Sequence, residues 1–100
     1  MREMTGRAPK VEVEFFGTLQ TVFQDKERRI ELGEAANIHG LLDELCNSSE
    51  SRRHLFNAQG QLQADLTIMK NGRNIAFLNG LDTELGDGDT VAIFFPVRGG

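Results

Sequence analysis

The residues best placed to do chemistry are the last two, Gly99 and Gly100, with the carboxylate that ends the chain. They follow Val91-Ala92-Ile93-Phe94-Phe95, an apolar run whose alternation puts Val91, Ile93 and Phe95 on one face and Ala92 and Phe94 on the other. Pro96 has no N–H to donate to a sheet, so pairing should stop there. Glycines without Cβ atoms can enter a channel closed to other residues. The chemistry implied is acyl chemistry on a terminal carboxylate, carried out inside another protein's active site. A carboxylate is a poor electrophile until one oxygen becomes a good leaving group. The chain therefore needs no base or nucleophile of its own, only a reachable end on a rigid body.

Other reactive side chains are sparse. Cys46 is the single cysteine and cannot form an intrachain disulfide; it reads as a small packed residue near a helix end. His39 and His54 stand apart with no cluster of further ligands, so no metal site is expected. A single cysteine also excludes a cysteine-ligated iron–sulfur cluster. Gly86-Asp87-Gly88-Asp89 is too short of ligands for a calcium loop and reads as a turn.

The body that must present the tail is small. One hundred residues, 39% of them hydrophobic, suffice for one domain with one core. Eleven basic residues against fifteen acidic ones leave a formal charge of −4, which argues against a nucleic-acid partner. No apolar run reaches the length of a membrane span, and the first residues lack the apolar core of a signal peptide, so the cytoplasm is the expected compartment. Residues 1–9 read as a flexible lead-in, residues 10–95 as the domain and residues 96–100 as a flexible tail.

Within the domain, Val11, Val13 and Phe15 alternate with Glu12 and Glu14 in a first strand over residues 10–16. Leu19, Val22 and Phe23 fall in a loop or short helical turn. Arg28–Leu32 forms a second strand with Ile30 and Leu32 inward. It is antiparallel to the first, because the connection is too short for a parallel crossover. Ile38, Leu41, Leu42 and Leu45 mark one stripe of a helix capped by Asn37. Gly40 inside that helix should cost about 1 kcal/mol against alanine, and close packing on the sheet is the expected reason for it. Residues 51–56 read as a further short turn. A third strand around Leu66, Ile68 and Lys70 meets Asn71-Gly72, a type I′ hairpin signal, with Ile75–Leu78 as the return arm. Residues 79–85 read as a compact loop with buried leucines. The first and last strands are the most apolar and belong side by side at the centre. The fold class expected is α+β, a β-grasp or ubiquitin-like roll: a mixed sheet of four to five strands with one main helix across one face. Phe16, Ala92 and Phe94 should then lie on the opposite face, where phenylalanines suggest a partner-binding patch.

Asn71-Gly72-Arg73-Asn74-Ile75, Leu81-Asp82-Thr83-Glu84-Leu85-Gly86-Asp87-Gly88-Asp89-Thr90-Val91-Ala92-Ile93-Phe94, Pro96-Val97 and the closing Gly99-Gly100 together resemble the MoaD/ThiS family of ubiquitin-like sulfur carriers, and MoaD most. The resemblance spans about residues 10–100, and its specific motifs follow Asn71. It implies a carrier, not an enzyme by itself. A MoeB/ThiF-like enzyme would use ATP to adenylate the Gly100 carboxylate, and a persulfide-derived sulfur would displace AMP to leave a thiocarboxylate. A MoaE-like large subunit would take in the tail and pass sulfur to a pterin. No bound cofactor, nucleic acid or membrane is implied, and the free carrier would be a monomer. Phe16, Phe94, Phe95, Pro96, Val97 and Arg98 are the residues expected to meet partners. The family commonly has Phe-Pro-Pro-Val where this chain has Phe94-Phe95-Pro96-Val97. Arg98-Gly99-Gly100 is similar to ubiquitin's own ending. The acceptor is thus left open among molybdopterin or tungstopterin, thiazole, thio-tRNA and protein conjugation.

Overall fold

The computed structural model describes residues 9–33 and 36–96. Five strands, β1 (Lys10–Phe15), β2 (Glu27–Glu31), β3 (Thr67–Lys70), β4 (Arg73–Asn74) and β5 (Thr90–Phe94), form one sheet in the order β2-β1-β5-β3-β4. β1 and β5 are parallel at the centre; the other neighbours are antiparallel. This is the mixed sheet expected, with the chain's first and last strands adjacent.

Period-two alternation explains which face is buried. Val11, Val13 and Phe15 of β1, Val91 and Ile93 of β5, and Ile68 of β3 are all at most 1% exposed. They share a core with Ile38, Leu41, Leu42 and Leu45 of α2 (Ile38–Leu45), the stripe foreseen from the helical period. Each such side chain contributes about 1.5–3 kcal/mol of burial. Asn37 caps α2 as expected: the Gly40 N–H donates to its Oδ1 at 2.8 Å. The explanation expected for Gly40 does not hold. A Cβ there would meet only Asn37 Oδ1, at 3.4 Å, and no part of the sheet.

Two short helices complete the core. The segment after Gly17 is α1 (Thr18–Phe23), which buries Leu19 and Phe23 and lays the Phe23 ring against Phe15 at 4.7 Å. The turn expected after residue 50 is a helix, α3 (Ser49–Leu55), capped by Ser48, whose Oγ accepts the Ser51 N–H. Leu55 and Phe56 are buried at its end.

Asn71 and Gly72 both have positive φ, 50° and 85°, as a type I′ turn requires. The return arm is Arg73–Asn74, not Ile75–Leu78. Asn74 Oδ1 accepts the Ala76 N–H and starts a 3₁₀ turn over Ile75–Phe77, which takes the chain off the sheet edge. Ile75 is buried, whereas Phe77 stands 86% exposed. The following loop is tied to the start of α2: Leu85 N–H donates to Ala36 O and Ile38 N–H to Thr83 O. No described helix is long and apolar enough to cross a membrane.

Candidate functional site at the end of the central strands

Because β1 and β5 run in parallel, their C-terminal ends meet at one side of the sheet. Phe15 lies opposite Ile93, so the next residue of each strand, Phe16 and Phe94, emerges beside the other on the face away from α2. Their rings meet edge to face, 6.0 Å apart and at 86°, a geometry favoured by the ring quadrupoles. Gly17 allows the chain to turn away at once, with φ at 62°. Phe16, Gly17, Phe94, Phe95 and Pro96 line a shallow apolar cleft. Phe16 is 46% exposed, while Phe95 is half-buried and also packs on the core. The strand ends at Phe94, and Pro96 is exposed just beyond it.

Four of the residues expected to meet partners, Phe16, Phe94, Phe95 and Pro96, are thus brought together. Val97, Arg98, Gly99 and Gly100 lie outside the described residues, as do residues 1–8.

Acids flank the apolar cleft. Glu14 of β1 lies between Ala92 of β5 and Glu27 of β2 in the strand register. Two like charges directly opposed cost stability. Glu12, one step along the same face, instead faces Arg29, at 4.0 Å. Among the described residues no salt bridge neutralises this acidic pair beside the phenylalanines.

At the far end of β5 a hydrogen-bonded clamp sets the strand's register. Asp87 Oδ1 accepts the Lys10 N–H at 2.8 Å, and Lys10 O accepts from Gly88 N–H. Asp89 accepts from Gly86 N–H through Oδ2 and from Asn71 Nδ2 through Oδ1, and Lys70 Nζ lies 3.7 Å away. Asn71 in turn accepts the Thr90 N–H. Burial disfavours the Asp89 charge, but the bonds from Gly86 and Asn71 and the Lys70 cation outweigh it and hold its carboxyl below the usual range. The sequence showed this stretch as a turn; the role of Asn71 in it was missed. The available signal was an Asn at a hairpin tip paired with an Asp just before a strand.

The other candidates stay structural. Cys46 is buried at the end of α2, and burial pushes its thiol pKa up, away from reactivity. His39 faces Asp43, which Arg52 also holds at 2.6 Å. Among the described residues no group of three or more potential metal ligands comes together.

A mixed five-stranded sheet grasping one main helix, with an apolar cleft where the central strand ends, defines a ubiquitin-like β-grasp protein. Residues 13–100 match the ThiS family, and the chain belongs to it. It is 30% identical over 91 residues to small archaeal modifier protein 3 of Haloferax volcanii, covering 91% of this chain and 99% of that one. The solution structure of small archaeal modifier protein 1 from Methanosarcina acetivorans superposes with a TM-score of 0.79 at 28% identity, over 95% of this chain and 100% of that one. A Pyrococcus furiosus protein assigned as molybdopterin converting factor, subunit 1, does so with a TM-score of 0.71 at 29% identity, over 90% and 100% of the two chains.

Proposed function

We propose that this chain is a sulfur carrier whose Gly100 carboxylate is adenylated and converted to a thiocarboxylate, for delivery of sulfur to molybdopterin or tungstopterin. The observation that carries this reading is the apolar cleft of Phe16, Phe94, Phe95 and Pro96, two residues short of the closing Gly99-Gly100. A partner that grips this cleft holds the tail at a fixed distance from its own catalytic groups, which supplies the positioning that acyl transfer needs.

The carboxylate oxygen attacks the α-phosphorus of ATP and pyrophosphate leaves. A persulfide sulfur on a MoeB/ThiF-like system then attacks the acyl carbon and AMP leaves. A thiol opens the resulting disulfide and frees the thiocarboxylate. A MoaE-like large subunit receives the tail, and the reactions run in the cytoplasm.

A second reading shares the activation step and differs in the acceptor: a modifier joined through Gly100 to lysine side chains of other proteins. It is supported by the likeness to small archaeal modifier protein 3.

The test is mass spectrometry of the full chain after incubation with ATP, the cognate activating enzyme and a sulfur source. The carrier reading expects oxygen replaced by sulfur at Gly100, and sulfur loss when the large subunit and pterin precursor are added. Adenylation without sulfur exchange, together with lysine-linked Gly-Gly remnants in the source cell, would move the assignment to the modifier. No adenylate with a proven activator would defeat both.

A further inference from the structure

β2 is an edge of the sheet, and its outer backbone groups are unpaired by any described strand. Which groups face outward follows from its ladder to β1. Phe15 N–H donates to Lys26 O, and Leu32 N–H donates to Pro9 O. In an antiparallel ladder bonded pairs recur every second residue, so residues 26, 28, 30 and 32 turn their N–H and C=O toward β1. Glu27, Arg29 and Glu31 turn theirs outward.

Such an edge can pair with another strand of the same kind. For two copies related by a two-fold axis, three registers within Glu27–Glu31 place outward-facing groups opposite one another. Centring on Arg29 opposes Arg29 to itself and Glu27 to Glu31, all like charges. Centring on Arg28 opposes Glu27 to Arg29 twice, but it sets two Arg28 side chains, already held by Asp25 at 3.2 Å and Phe23 O at 2.7 Å, against each other and keeps the Glu14–Glu27 clash in the row. Centring on Ile30 opposes Arg29 to Glu31 of the second copy, twice, and sets the half-buried Ile30 side chains against each other.

The flanking strand reinforces that last register. Glu12 lies beside Arg29 and Lys10 beside Glu31 across the β1–β2 pair. Across the joined sheets one row then reads Glu12, Arg29, Glu31 of the second copy, Lys10 of the second copy. The symmetric row repeats it. Signs alternate at every step.

We propose that the β2 edge is a self-pairing surface, on which a second copy of this chain docks antiparallel about an axis through Ile30 to give a continuous ten-stranded sheet. Five residues a side make a small interface, so pairing is weak and sets in as concentration rises; the dilute chain is a monomer. Ile30 pairs with Val11, whereas the apolar cleft begins after Phe15. The axis is thus about 13 Å along the strand from the cleft at 3.3 Å per residue, and both clefts stay open.

The experiment is amide NMR and sedimentation of the full chain from tens of micromolar to millimolar, with Arg29→Glu, Glu31→Arg and the double exchange. These side chains are on the surface, Arg29 with 72% of its side chain exposed, so the variants fold. The expected result is concentration-dependent shifts at residues 28–32, association weakened about ten-fold or more by either single change, and recovery in the double variant. Absence of self-association at millimolar concentration overturns the proposal. So does a double variant no better than the singles, or shifts that fall on Phe16 and Phe94 instead.

Discussion

Asp89 does more for the candidate site than its position, remote from the cleft, suggests. Its carboxylate ties the Asn71 hairpin, the Gly86 turn and the start of β5 into one unit. The strand that leads to Phe94 and Pro96 therefore begins from a fixed point. Hydrogen bonds to a charged group are worth about 1.5–3 kcal/mol, so Asp89→Ala should cost about 2 kcal/mol in chemical denaturation. The pH dependence has a definite sign. The folded carboxyl sits below its unfolded value, so its contribution is present above the unfolded value near pH 4 and is lost as pH falls through the folded one. The wild-type chain should lose stability through that acid window, and Asp89→Ala should lose less; equal slopes would refute the assignment.

At the scale of elements, α2 tests whether Gly40 is needed by the fold. Nothing from the sheet approaches it, and a methyl group would only touch the capping Asn37. Gly40→Ala should therefore raise stability by up to about 1 kcal/mol through helix propensity, read as a higher denaturation midpoint. A loss would mean that the cap cannot yield the contact at 3.4 Å. The elements also show what was legible beforehand. Alternation in β1 and β5, the four-residue stripe of α2, and Asn71-Gly72 each report local physics, and each was readable. From the same alternation the facing of Phe16 and Phe94 followed. α3 was not legible as a helix, because only Leu55 and Phe56 supply its buried side and its start rests on the Ser48 cap. Ile75-Ala76-Phe77-Leu78 looked like a strand because an apolar run reads alike in strand and turn. The deciding contact, Asn74 Oδ1 on Ala76 N–H, is a side-chain geometry that composition does not reveal.

For the whole molecule, the −4 charge is unevenly placed where it matters. Glu14 and Glu27 oppose each other next to the cleft, a local cost that a partner's basic groups would offset. Glu14→Gln should stabilise the free chain by about 0.5 kcal/mol and, under the proposed function, slow association with an activating enzyme, most clearly at low salt. Thermal melting and stopped-flow binding measure the two effects. Faster binding, or no change at any ionic strength, would remove the acidic pair from the recognition surface. Phe16→Ser should instead raise the dissociation rate and leave the melting curve nearly unchanged, since that ring is largely outside the core.

The central place of β5 carries a consequence for synthesis. β1 with β2, and β3 with β4, can each pair early, but only β5, the last of the described strands, joins the two hairpins. A ribosome that stalls before Thr90 leaves one chain holding two hairpins with raw inner edges and no common sheet. The sheet is thus completed only once the strand that leads into the apolar cleft has been translated.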